Sequence, residues 1–373
     1  MSYSELSSFG KMFLVEPSGT LLTDEEQRWL AQLQPQAIMF RKRNFLLDAE
    51  YPTWLEAYTK LLSQFRRVLR HERLIVTLDH EGGRVIRPPE PITRFPYAAR
   101  WAASTGEVAR AMAVELKSLG VNVNFAPVAD IHSNPDNPVI NERAFGRTPE
   151  EVTKAAVQFA QTLQANGVAP CAKHFPGHGD TRTDSHYRVP VLELTLDELK
   201  RRELMPFQAL IDAGVQMMMT SHILFPKLDS ENVATLSHAI LKDLLRSQMG
   251  FKGVIIADAL GMHSIVGDLH QRETVVKAVN AGLDIFLVAG DTVTIGDALT
   301  MAKLLQEAFK RGEVTEETLR AAGKRIDKFA GALPQYPVTQ VDTATLEQHH
   351  ALAALLEAQS PWSGFELVLP AFE

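Results

Sequence analysis

Six positions in this chain carry side chains able to do chemistry directly after short apolar runs: Asp79, Asp130, Lys173, His174, His222 and Asp258. Asp79 opens the string DHEGGRVIR, which also supplies Arg84 and Arg87, and Asp130 closes FAPVAD, ahead of NPVINERAFG with Arg143. Carboxylates of this kind serve as nucleophiles or general acid/base groups, and Lys and Arg bind hydroxyl or carbonyl oxygens or hold a neighbouring carboxylate ionised. Buried polar groups cost free energy unless paired, so this many charged and imidazole groups at strand ends points to a ligand site. Asp130 and His222 also fit a simpler role, as rim residues bonded to a neighbouring loop.

The segment KHFPGHGDTRTDSH, residues 173–186, holds Pro176, Gly177 and Gly179 between two polar ends, which predicts a mobile loop leaving its strand. At its far end Asp184 precedes His186 by two residues, a spacing at which a carboxylate orients an imidazole and stabilises its cation. An unperturbed imidazole titrates near ~6.5 and can therefore donate and then accept a proton around neutrality.

These residues need a scaffold, and the chain spells one out. Apolar runs alternate with helix-length amphipathic segments, the pattern of βαβ units around a parallel sheet. Eight strands are expected: Lys11–Val15, Ala37–Phe40, Leu74–Leu78, Val121–Phe125, Val168–Ala172, Gln216–Thr220, Gly253–Ala257 and Asp284–Val288. Thr23, Thr148 and Thr195 each stand three residues before a glutamate and predict capping boxes. Asn166-Gly167 and Met249-Gly250 place glycine where helices should end. Eight such units with short connections, and no glycine-rich dinucleotide fingerprint after the first strand, predict a TIM-like (β/α)8 barrel, whose reactive residues lie at the C-terminal strand ends. The barrel is expected over residues 1–332. A linker, a helix over Thr345–Gln359 and a tail, residues 333–373, should pack on it, being too few for a core of their own.

Composition excludes several classes. Of 373 residues, 45% are hydrophobic and 22% charged, as in an ordinary globular enzyme. A net charge of −7 without a basic cluster argues against nucleic acid. No 18-residue apolar run predicts a membrane span, and the N-terminus lacks the pattern of a secretory signal. The single cysteine, Cys171, permits no internal disulfide. A cytoplasmic location is expected, with the oligomeric state open and a monomer favoured. Met217-Met218-Met219 reads as a buried strand, Cys171 as core, and His349-His350 as an exposed helical pair.

Taken together, LDHEGGRV, NFAPVADI with NPVINERAFG, KHFPGHGDTRTDSH and IIADALGM resemble glycoside hydrolase family 3, specifically its single-domain β-N-acetylglucosaminidase branch, which includes cell-wall recycling enzymes. The motifs run from about Leu74 to Met262. The resemblance implies that Asp258 is a nucleophile forming a covalent glycosyl intermediate, that His186 is the general acid/base with Asp184 as its partner, and that Asp79, Arg87, Arg143, Lys173 and His174 bind the sugar. It implies hydrolysis of terminal β-linked N-acetylglucosamine with no cofactor and no metal. Replacing one of the usual two carboxylates by histidine removes any argument from carboxylate separation. His80 stands where glutamine is expected in many relatives and would tune the rim near the sugar. A β-glucosidase of the same family would need a second domain that this chain has no room for. A phosphorylase is also compatible with a histidine acid/base. A zinc hydrolase would have to use His174, His178, Asp180, Asp184 and His186, which match no recognised zinc spacing. A catalytically dead sugar-binding barrel would have no need of both Asp258 and the Asp184-His186 pair.

Overall fold

In a computed structural model describing residues 5–182, 189–261 and 270–362, eight parallel strands form one sheet. They are β1 (Phe13–Val15), β2 (Ala37–Met39), β3 (Ile75–Leu78), β4 (Val123–Asn124), β5 (Ala169–Phe175), β6 (Met217–Thr220), β7 (Val254–Ile256) and β8 (Phe286–Val288). Neighbours pair in chain order, β8 returns to β1 through Phe13↔Phe286, and a parallel bridge Ile256↔Ile285 joins β7 to β8. The ring is closed, as the count of βα units predicts.

Helices follow each strand and cover the sheet from outside. The three expected capping boxes form at Thr23, Thr148 and Thr195, each worth about 1 kcal/mol. Gly167 and Gly250 adopt φ of +89° and +74°, the left-handed turn that lets a helix stop and the chain re-enter the barrel. Strands buried on both faces are apolar throughout: Val254, Ile255 and Ile256 are each 0% exposed. Met217, Met218 and Cys171 are likewise wholly buried.

One charge lies deep at the N-terminal end of the barrel. The Asp284 carboxylate, just before β8, receives Arg246 Nη2 at 2.5 Å, Arg325 Nη2 at 2.7 Å and the Ile255 N–H at 2.8 Å. It ties β7, β8 and two outer helices at the seam where the ring closes, the barrel face where such residues serve stability.

β5 runs further than the sequence suggests. Lys173 and His174 lie inside the strand, because the ladder to β6 resumes after an irregularity at Phe175↔Thr220 and Lys173 bridges to Val128. β4 is shorter than expected, although the chain stays beside β5 beyond it, with the Cys171 N–H donating to Ala126 O at 3.0 Å and a parallel bridge from Val128 to Lys173. After the last barrel helices, residues 333–342 cross the N-terminal face, where Tyr336 Oη donates to Gly167 O and Asn122 Nδ2 to Pro334 O. The helix Thr343–Glu357 packs on the helix Thr105–Ser118. The expected exposed histidine pair is half right: His350 is exposed, but His349 Nδ1 lies 2.7 Å from the buried Glu115 carboxylate, which also accepts from the N–H and hydroxyl of Thr93.

Candidate active site

A cavity of about 540 Å³ opens at the C-terminal end of the barrel, and Asp79, Arg87, Arg143, Lys173, His174 and Asp258 all line it. Six residues separated by up to 179 positions in the chain thus meet at one place. Asp184 and His186 lie outside the described residues.

Its floor is a network of ions. Asp79, one residue past β3, accepts Lys173 Nζ at 3.0 Å on one oxygen and Arg87 Nη2 at 2.6 Å on the other. Glu81, two residues on, takes Arg143 Nε at 2.8 Å and Nη2 at 3.0 Å, and also pairs with Lys173. Burial would raise both carboxyls, but the cations outweigh it, holding Asp79 far below the usual carboxylate range and Glu81 at about 2. Burial disfavours the Lys173 ammonium, yet Asp79 and Glu81 push its pKa up. Both carboxylates are ionised and all three cations are charged at neutral pH. Glu81 escaped nomination from sequence, although two buried cations, Arg143 and Lys173, demand a carboxylate of this kind.

A second layer fixes the imidazoles. Asp130 accepts His174 Nδ1 at 2.6 Å and the His178 N–H at 2.7 Å. It lies beneath His174, outside the cavity wall, which matches the simpler of its two readings. The His178 ring lines the cavity and is pushed down to about 4 by burial and the adjacent His174. His222 likewise stands behind the cavity, bonded through Nδ1 to Thr235 Oγ1 at 2.8 Å, with its ring against the Asp258–Ala259 main chain.

Asp258 follows β7 and is only partly covered. Burial pushes its carboxyl up, but the nearby His174 and His222 imidazoles and the Ala259 N–H, which donates to Oδ1 at 2.7 Å, bring it below the ordinary value. An ionised carboxylate fixed at a strand end and open to a cavity is a competent nucleophile. His80 does not face this cavity: its ring is buried 6.2 Å from that of Phe95, and burial lowers its pKa to about 4. The expected tuning of the rim is therefore corrected, because the residue after Asp79 points to the opposite face of the strand.

The expected mobile loop is also anchored at its root. Asn137 Nδ2 donates to His178 O at 2.8 Å and to Gly179 O at 2.9 Å, and Asn134 Nδ2 donates to Thr181 O at 3.1 Å. A Cβ on Gly179 would lie 1.6 Å from Ile131 O, so only glycine allows this contact. Arg202 reaches in from below, bonding Asp180 at 2.5 Å and the buried Glu203 at 2.7 Å. Among the described residues no group of three His, Cys, Asp or Glu is placed to hold a metal ion.

The model of the glycosyl hydrolase family 3 N terminal domain matches residues 10–329. The chain belongs to glycosyl hydrolase family 3. Relatives within this family of glycoside hydrolases include beta-hexosaminidase A of Pseudoalteromonas piscicida, 35% identical over 320 residues, covering 77% of this chain and 54% of that protein. The chain thus spans about half the length of that relative. A beta-hexosaminidase of Neisseria meningitidis serogroup C is 36% identical over 279 residues, 72% of this chain and 74% of its own. A solved family 3 beta-N-acetylglucosaminidase from Paenibacillus sp. str. FPU-7 superposes with a TM-score of 0.83 at 31% identity, covering 94% of this chain and 67% of that one. The family read from the four motifs, and the barrel it implies, are borne out. Among the described residues no helix is long and apolar enough to cross a membrane.

Proposed function

We propose that this family 3 chain is a retaining exo-acting β-N-acetylhexosaminidase that removes terminal, non-reducing β-linked N-acetylglucosamine. The observation that carries the reading is the ionised Asp258 carboxylate opening onto a cavity whose floor is the Asp79–Lys173–Glu81 ion network. The names of the relatives support the sugar class.

Asp258 attacks the anomeric carbon as the glycosidic bond breaks, and His186 gives its proton to the departing oxygen. The glycosyl–aspartate ester then yields to water, whose proton returns to His186 while Asp258 leaves. Two inversions give retention. Asp184 holds the imidazole in orientation and stabilises its cation. Asp79, Arg87, Arg143, Lys173 and His174 grip the sugar, with the cations donating to its hydroxyls and acetamide oxygen. The resemblance to the cell-wall recycling branch supports peptidoglycan recycling in the cytoplasm, and the buried free thiol of Cys171 fits a reducing compartment.

The test is Asp258→Asn assayed on p-nitrophenyl N-acetyl-β-glucosaminide. The variant keeps the wild-type unfolding midpoint and loses turnover by at least roughly 10³-fold. Wild-type turnover in it would refute the assignment, and a sugar 1-phosphate formed by the wild type in phosphate buffer would replace hydrolysis by phosphorolysis.

A further inference from the structure

The segment after the helix Thr343–Glu357 does not stay on the N-terminal half of the barrel. Arg100 Nη1 donates to Gln359 O at 2.5 Å, and the Trp362 N–H donates to Ala99 O at 2.5 Å. Trp362 lies beyond residues 10–329, where the family model ends. Trp362 is 7% exposed, and its indole packs on the loop between β4 and the helix Pro149–Ala165. The ring stacks on His132 at 5.1 Å and 7°, Arg147 sits 4.2 Å above it, and Nε1 donates to Ala144 O at 3.3 Å. Trp362 holds a φ of +57°, costly for a residue with a side chain, and such a conformation persists only where the surroundings impose it.

That loop faces the cavity on its other side. Arg143, next to Ala144, clamps Glu81, and the Asn134 and Asn137 amides hold the root of the loop that leads to Asp184 and His186. The Ile131–Gly179 contact leaves no slack between the two loops. A shift in this loop therefore reaches both the ion network and the approach to the acid/base.

We infer that Trp362 is a positioning residue for catalysis, acting through the 131–147 loop on Arg143 and on the seat of His178–Thr181. This rests on the proposed hexosaminidase activity for its kinetic arm alone. A purely structural tryptophan would change the unfolding midpoint and leave the kinetics of the folded enzyme untouched.

The experiment compares Trp362→Ala, Trp362→Phe and wild type in the full chain by three measurements. They are kcat and KM on p-nitrophenyl N-acetyl-β-glucosaminide, binding of N-acetylglucosamine, and hydrogen exchange of peptides covering 131–147. Trp362→Ala is expected to lose roughly tenfold or more in kcat/KM at temperatures where it is folded, because small displacements of positioning groups are costly. Exchange should quicken in 131–147 while β1 and β2 stay protected. Trp362→Phe, which keeps the stack and the cation–π contact, should recover most of the activity. Wild-type kcat/KM in Trp362→Ala, or exchange in 131–147 unchanged, overturns the inference, as does quickening throughout the barrel. Should Trp362→Ala fail to fold, Arg147→Met removes the cation above the ring, and unaltered kinetics and exchange in it would be equally fatal. If the wild type cleaves no hexosaminide, the proposed function fails, and the exchange measurement still decides whether Trp362 holds the 131–147 loop, unchanged exchange there overturning the inference.

Discussion

Replacing Glu81 by glutamine removes one negative charge from the buried network and leaves its shape intact. In the native protein Glu81 holds Arg143 through two bonds of 2.8 and 3.0 Å and shares Lys173 with Asp79. An uncompensated buried charge costs about 3–5 kcal/mol, and the glutamine oxygen can still accept from one of the two cations, so a loss of about 2–3 kcal/mol is expected. At ~2–4 °C per kcal/mol for a large domain, that lowers the unfolding midpoint by roughly 5–10 °C. Because Arg143 and Lys173 both line the cavity, kcat/KM on the aryl N-acetylglucosaminide should drop by about 10²-fold. The deficit depends on pH in a definite direction. The folded pKa of Glu81 is depressed to about 2 from 4.5, so its contribution is complete above the unfolded value and fades as pH falls through that window. Wild type and Glu81→Gln should therefore converge in stability on acidification from pH 4.5 towards 2. Calorimetry across pH with steady-state kinetics at neutrality checks this. A variant with the wild-type midpoint and kcat/KM would show that Arg143 is held by something other than Glu81, and a pH-independent gap would refute the electrostatic account.

Two further outcomes follow from the same reasoning. His186→Ala should slow substrates with poor alkyl leaving groups far more than activated aryl ones, since only the former need a proton; equal losses, measured as a ratio of kcat/KM values, would assign the histidine another role. Asp284→Ala, far from the cavity, strands Arg246 and Arg325 at the barrel seam and should cost about 3 kcal/mol in denaturant unfolding, with the kcat/KM of the folded enzyme unchanged.

The strands were legible because burial on both faces forces unbroken apolar runs such as Val254–Ile256, and the helix starts because a threonine with glutamate three residues on serves two N–H groups at once. Asp79, Lys173 and Asp258 could be nominated because polar residues at the end of such runs must emerge at one rim. What escaped depends on distance in space. Glu81 is separated by one residue from Asp79 and faces the same side, yet its importance comes from Arg143, 62 positions away in the chain. The glycine- and proline-rich look of residues 176–181 suggested mobility, whereas Asn134 and Asn137 supply the main-chain partners that a strand neighbour would otherwise provide. Trp362 carried no local signal, because its meaning lies entirely in the loop it covers.

The salt-linked groups on the cavity floor also have a joint property. Asp79 and Glu81 carry two negative charges against the three positive ones of Arg87, Arg143 and Lys173, and each of the three cations is tied to one or both of these carboxylates. A ligand's hydroxyls meet donors and acceptors already held in place by one another. The same salt links that hold the cavity together thus keep its donors and acceptors in place for whatever enters.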